Sequence, residues 1–197
     1  MIEVEKKFEL TEDNRKKLVD GAEFVKSKTM TDSYFDDANY SLGRKDFWLR
    51  KRNGKFELKT PLNFLPQEER VACQYREIED EKEIIECLKF NSDNPLENSL
   101  EENGYLPFMT AVTKREEYTK EGFVIDIDST DFGYEIAEIE LMVENESDIA
   151  LATQKIIEFA TKLGLKQGIV RDKLSQYLYQ FNPLDHKMLL DAGVLSK

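Results

Sequence analysis

Ile2-Glu3-Val4-Glu5-Lys6-Lys7-Phe8 reads as a strand with one charged and one apolar face. Side chains alternate along a strand, so Glu3, Glu5 and Lys7 share one surface, and Ile2, Val4 and Phe8 take the other, with Lys6 the exception. Two carboxylates and an ammonium on one surface can hold a hard cation beside an anionic ligand, because carboxylate oxygens ligate magnesium and lysine meets phosphate. A strand with a solvated Glu/Lys face is the plainer alternative.

The same parity recurs along the chain. Phe47-Trp48-Leu49-Arg50-Lys51-Arg52 aligns Trp48, Arg50 and Arg52, and Phe56-Glu57-Leu58-Lys59 aligns Glu57 with Lys59. Arg115 ends the run Val112-Thr113-Lys114-Arg115. Asp126 aligns with Asp128, and Glu138 with Glu140, in two further alternating segments. An open sheet with helices on one side would leave these charges in water. A closed barrel would turn them inward to meet one another. Bases cluster on some strands and acids on others, which favours closure, since a charged lumen needs both signs, a metal or an anionic ligand to offset desolvation.

Composition bounds the functions. The 197 residues, 40% hydrophobic and 11% aromatic, are read as one folded domain spanning 1–197. A net charge of -12 argues against nucleic acid or a membrane surface as partner, both of which need an exposed basic field. There is no apolar run of about 18 residues, and the chain opens on a strand, so a cytoplasmic protein is expected. Cys73 and Cys87 lack metal-ligand spacing and read as reduced structural thiols. His186, the sole histidine, lies in a polar helical stretch and is expected at the surface. Zinc-histidine and Ser-His-Asp mechanisms therefore lack raw material. The acidic runs at 80–83 and 97–102 read as solvated helix faces.

The segments interleave without a long linker. Thr11 is a candidate cap for a helix to about residue 18, and 31–35 reads as a strand. Gly43 marks a turn before the Trp48 strand, and Asn53-Gly54 signals a hairpin bringing Arg50, Arg52 and Lys59 together. Residues 61–66 form a loop, and 71–78 resume an extended pattern, with Arg70 and Arg76 as its basic residues. Helices are expected over 81–89 and 96–103, strands over about 109–119, 122–128 and 134–144, and helices over 150–163, 173–181 and 184–190. About eight antiparallel strands suffice to close a small barrel. The fold class is α+β, a closed eight-stranded antiparallel barrel with a charged lumen and surrounding helices.

Glu3-Val4-Glu5-Lys6-Lys7 resembles the ExExK signature of the CYTH superfamily, the triphosphate tunnel metalloenzymes. The Trp48–Arg52, Glu57–Lys59, Val112–Arg115, Asp126–Tyr134 and Glu138–Glu140 segments, with the C-terminal Lys173-Leu174, Tyr177-Leu178 and Phe181–Asp185, resemble its thiamine triphosphatase branch. The chain departs from that branch at Gln180 and Asn182, where vertebrate members carry basic residues, and in the 61–70 loop. The resemblance implies hydrolysis of a triphosphate with magnesium, or manganese in its place. It also implies Glu3, Glu5, Asp126, Glu138 and Glu140 as metal ligands, and Lys7, Arg50, Arg52, Lys59, Arg115 and Lys173 as triphosphate ligands.

In phosphoryl transfer the protein mainly positions groups and stabilises charge. On this reading Glu138, Glu140 and Lys59 are the catalytic set, with thiamine triphosphate as substrate and a monomer as the default state. Tripolyphosphate and nucleoside triphosphates are the alternative substrates, and a polyphosphate- or nucleotide-binding module without turnover is the alternative class. Trp48 either stacks on a cationic thiazolium ring or packs in the core. Asp128 is read as a partner of a tunnel arginine, Glu57 as a partner of Lys59, and Lys173 as either a substrate ligand or an ordinary first-turn lysine.

Overall fold

The structure, a computed structural model, describes residues 2–62, 66, 69, 73–91 and 94–195, apart from the side chains of residues 73 and 74. Eight strands close into an antiparallel barrel: β1 (Ile2–Glu9), β2 (Glu23–Asp36), β3 (Trp48–Arg52), β4 (Lys55–Pro61), β5 (Cys73–Ile78), β6 (Leu106–Lys120), β7 (Phe123–Thr130) and β8 (Glu135–Val143). Their order around the wall is β1-β5-β4-β3-β2-β6-β7-β8, and β8 pairs back to β1. The helices are α1 (Glu12–Val19), α2 (Glu81–Leu88), α3 (Leu96–Glu102), α4 (Ile149–Lys162), α5 (Lys173–Phe181) and α6 (Pro183–Asp191).

Local chemistry sets the corners. Thr11 accepts the Asn14 backbone N–H at 3.1 Å and starts α1, as its residue type predicts. Asn53 and Gly54 both take positive φ, the paired left-handed conformation that a two-residue hairpin between β3 and β4 requires.

Parity sorts the side chains. Val4, Phe8, Ile125, Ile127, Ala137 and Ile139 face outward from the lumen and are at most 1% exposed, because α4 covers them with Ile149, Ala152, Ile156, Phe159 and Ala160. On the other flank Leu49, Phe56, Leu58 and Ile78 pack under Ile84, Ile85, Leu96 and Leu100 of α2 and α3. Each such side chain removed from water contributes about 1.5–3 kcal/mol. Helices α5 and α6 do something different. Leu174, Leu178 and Leu189 pack against Trp48, Met109 and Ala111, which share parity with the lumen residues, so this helix pair caps one mouth of the barrel.

Three expectations need correction. The second strand runs over Glu23–Asp36 rather than 31–35, because its first half is exposed on both faces and lacks an apolar alternation. It is held instead by pairing along β6, which itself extends to Leu106–Lys120. His186 is 5% exposed: its α6 neighbours Asp185 and Lys187 suggest a wet face, but the imidazole turns toward α5, with Nε2 3.4 Å from Ser175 Oγ. Cys87 is a free thiol, as expected, but an exposed one, which does not fit the expected structural role, and the Cys73 side chain lies outside the described residues. Arg70 and most of the 61–70 loop also lie outside them, and Arg76 faces outward, paired with Glu83 at 2.6 Å. No helix among the described residues is long and apolar enough to cross a membrane.

Candidate functional site

The register turns the sequence parity into one chamber. Glu5 lies opposite Glu140 and Lys7 opposite Glu138 across β1 and β8, and Asp126 lies opposite Glu138 across β7 and β8. Contiguous β7, β8 and β1 thus form an acidic wall. Strand β3 stands diametrically across from β8 in the closed order, so Arg50 and Arg52, with Lys59 on β4, form the facing basic wall. They enclose a cavity of about 360 Å³ lined by every candidate site residue: Glu3, Glu5, Lys7, Trp48, Arg50, Arg52, Lys59, Arg115, Asp126, Glu138, Glu140 and Lys173.

The cations are held by carboxylates. Arg50 donates to Glu57 at 2.6–2.7 Å and lies 3.6 Å from Glu77. Arg52 grips Asp32 through two hydrogen bonds of 2.7 and 2.8 Å. Lys59 pairs with Glu77 at 2.7 Å, so the expected Glu57–Lys59 pairing is replaced by Glu57–Arg50 and Glu77–Lys59. Directly opposite register explains the exchange: Arg50 faces Glu57, and Lys59 faces Glu77. Arg115 forks onto Asp128 at 2.6 and 2.7 Å, reaches Glu138 at 2.5 Å and also bonds Asp126. Lys173 bonds Asp128 and lies 3.4 Å from Glu138. It reaches the lumen because Asp172 caps α5 by accepting the Ser175 N–H at 2.7 Å, which fixes Lys173 as the first helical residue at the barrel mouth.

The acids divide into two electrostatic groups. Burial opposes ionisation of Glu138, but Lys173, Arg115 and Lys7 hold its carboxyl well below the usual range. Glu5 is likewise held down to about 2 by Lys7 against its burial. Glu140 goes the other way: burial, then Glu3, Asp126 and Glu138, push it up to about 10. Burial and Glu5 raise Glu3 to about 7, and burial raises Asp126 to about 6 despite Arg115.

Members of both groups converge, the raised Glu3, Asp126 and Glu140 beside the lowered Glu5 and Glu138. Glu3, Glu5 and Glu140 form one trio, and Asp126, Glu138 and Glu140 a second, each with ligand oxygens within 4.8 Å of one another. Asp126 Oδ1 and Glu140 Oε1 are buried without a hydrogen-bond partner among the described residues. Clustered carboxylate oxygens at this spacing, two of them without a partner, fit a hard divalent cation, which takes oxygen ligands and offsets their charge. Sulfur and imidazole ligands are not among these two trios, which fits magnesium or manganese better than zinc.

Trp48 is 9% exposed, packs within the capping cluster and still borders the cavity. Sequence reading missed Lys28, Tyr34, Tyr75, Glu77 and Glu117 in the lining. Tyr75 and Glu77 alternate before Ile78 and could have been found by parity. Glu117, two residues beyond Arg115 in the expected 109–119 strand, could have been found in the same way, but Lys28 could not, since β2 extends there without an apolar face.

A closed antiparallel barrel with facing acidic and basic walls and two carboxylate trios defines a tunnel-type site for a polyanion and a hard cation. The CYTH domain family matches residues 1–171, and the chain belongs to that family. It is 30% identical to the Homo sapiens thiamine-triphosphatase, over 98% of this chain and 91% of that protein. The Macaca fascicularis thiamine-triphosphatase is 28% identical over the same shares. Among solved structures, a Pyrococcus horikoshii OT3 protein superposes with a TM-score of 0.65 at 22% identity, covering 90% of this chain and 99% of its own. A Hippeastrum protein, described as an adenylyl cyclase candidate with a dominant triphosphatase activity, superposes with a TM-score of 0.56 at 16% identity over 94% of this chain and 99% of its own.

Proposed function

We propose that this chain, acting as one unit over its 197 residues, hydrolyses thiamine triphosphate to thiamine diphosphate and orthophosphate with a divalent metal, magnesium or manganese. The observation that carries the reading is the pair of carboxylate trios sharing Glu140, set across one lumen from Arg50, Arg52 and Lys59. The kinship to thiamine-triphosphatases over nearly the whole chain supports the choice of substrate.

Glu3, Glu5 and Glu140, and Asp126, Glu138 and Glu140, are the residues that would hold metal. A divalent ion there supplies Lewis acidity, drawing charge from the phosphate oxygens and making phosphorus more electrophilic. Arg50, Arg52 and Arg115 offer planar forks to pairs of phosphate oxygens, which lysine cannot match in geometry. Binding exchanges their present carboxylate partners for phosphate oxygens, so Glu57, Asp32 and Glu77 serve as counter-charges that keep the cations in place between turnovers. Lys7, Lys59 and Lys173 add point charges along the triphosphate, where Lys59 stabilises charge developing toward the diphosphate. Water attacks the terminal phosphorus, the bond to the β–γ bridging oxygen breaks with its electron pair leaving on thiamine diphosphate, and one proton of the water passes to solvent as orthophosphate forms. Glu138 and Glu140, on the acidic wall, orient the attacking side of that displacement.

Trp48 borders the cavity one position along its face from Arg50, so an indole surface is available to the cationic thiazolium beside the phosphate clamp. The test is product analysis by phosphorus NMR with thiamine triphosphate, tripolyphosphate and ATP as separate substrates, with magnesium or with EDTA. Thiamine diphosphate plus orthophosphate, formed preferentially and only with metal, is the expected result. Preference for tripolyphosphate or ATP would overturn the substrate choice, and tight binding without cleavage would overturn the activity.

A further inference from the structure

The segment between β2 and β3 is built around two buried aspartates. Asp36, 5% exposed, accepts the backbone N–H groups of Leu42 and Gly43 at 3.1 and 2.8 Å and so folds the segment back on itself. Gly43 packs where a Cβ would lie 3.2 Å from both the Trp48 ring and Leu189, so the indole is braced on that side. Asp46 ends the segment in the left-handed region, with φ of 61°, a conformation that costs most residues but suits Asp, Asn and Gly. That backbone turn sends its carboxylate inward. It is 2% exposed, and one oxygen, Oδ1, accepts both the Trp48 indole N–H and the Tyr75 hydroxyl at 2.8 Å. Trp48 and Tyr75 both line the cavity from different strands, β3 and β5.

A buried carboxylate joining two aromatic rings that flank the phosphate-binding arginines has a consequence for the part of the substrate beyond the phosphates. We propose that Asp46 is a positioning residue: it locks Trp48 and Tyr75 into a single aromatic wall that receives the cationic ring of the substrate. It sets selectivity for a triphosphate carrying such a ring over bare tripolyphosphate. The assignment rests on the proposed thiamine triphosphate activity and adds the residue that shapes the ring-binding end. Among the described residues the hydrogen bonds accepted by the Asp46 side chain come from Trp48 and Tyr75, not from the arginines of the phosphate clamp. Its influence therefore falls on ring binding, read in KM, more than on the chemical step, read in kcat.

Two substitutions separate positioning from folding. Asp46→Gly removes the acceptor while suiting the positive φ, and Asp46→Asn keeps an oxygen that accepts both hydrogen bonds and tolerates the same backbone. The ratio of kcat/KM for thiamine triphosphate over tripolyphosphate is expected to fall at least about tenfold in Asp46→Gly, carried by KM. Asp46→Asn should hold the ratio within about threefold, a rescue by geometry without charge. Trp48 is the only tryptophan, so its emission reports this wall directly, and it should shift to the red in Asp46→Gly and stay native in Asp46→Asn. An unchanged ratio in Asp46→Gly, in a wild type that prefers thiamine triphosphate, would overturn the assignment. A ratio lost equally in both variants would also overturn it, by making charge rather than position the cause. If wild type fails to cleave thiamine triphosphate, the proposed function falls instead. The positioning claim is then decided by emission, and native-like emission in Asp46→Gly overturns it.

Discussion

The outer wall of the barrel and its lumen use the same strands to opposite ends. Outside, Val4, Ile125, Ile127, Ala137 and Ile139 meet α4 in a dry apolar contact in which every neighbour stabilises every other. Inside, one residue along each of those strands, Glu5, Asp126, Glu138 and Glu140 crowd together, with Glu140 pushed up to about 10 by burial and its acidic neighbours. The outer wall holds the fold against a lumen whose acids repel. Charge stored in a site at the expense of stability is the usual trade between function and stability.

Four variants sharpen or break that contrast. Arg115 is where it should break, since the guanidinium serves Asp126, Asp128 and Glu138 at once. Arg115→Ala is expected to lower phosphate release on the order of 10³-fold. It should also cost about 3–5 kcal/mol of stability by uncovering buried carboxylates, measurable by urea unfolding. Ile156, fully buried between α4 and the barrel, should give the pure outer-wall result. Ile156→Ala loses about 2–5 kcal/mol in the same unfolding experiment, with kcat at 25 °C close to wild type while the protein remains folded.

Glu140→Gln should give the pure lumen result. Without metal the variant should be more stable than wild type at pH 7, since the fold no longer has to hold a carboxyl up near 10 against its burial and its acidic neighbours. At magnesium 100-fold above Kd, wild type gains about 2.7 kcal/mol, and the variant should gain markedly less in a thermal-shift titration.

The smallest effect lies away from the lumen, at His186. Burial, then Arg171, hold its imidazole below the ordinary 6.5, so the fold favours the neutral ring. That contribution is fully present above the unfolded pKa and is lost progressively as pH falls from there through the lower folded pKa. The stability difference between wild type and His186→Gln should therefore shrink from pH 7.5 to pH 5 in parallel urea titrations.

The parity of Glu3, Glu5 and Lys7 was enough to orient the first strand, and the same alternation located Arg50, Asp126, Glu138 and their neighbours. Closure was legible because acids and bases fell on different strands and had to meet. Pairing partners were not, because they depend on register: Glu57 faces Arg50 rather than Lys59 only once β3 and β4 are aligned. Lys28 and the outer half of β2 were hidden for another reason, being exposed on both faces and held by backbone pairing to β6. His186 shows the reverse error, a residue among polar neighbours that tertiary packing buries. Asp46 carried no sequence pattern, since its place depends on one left-handed residue and on Tyr75 arriving from a distant strand.

The measurement that bears most directly on the account compares phosphate release from thiamine triphosphate by wild type and Glu138→Ala, in magnesium and in EDTA, alongside their unfolding curves. The account predicts release by wild type only with magnesium and a loss of at least about 10²-fold in a variant that still folds. A folded Glu138→Ala that turns over like wild type, or wild-type release undiminished in EDTA, would contradict it.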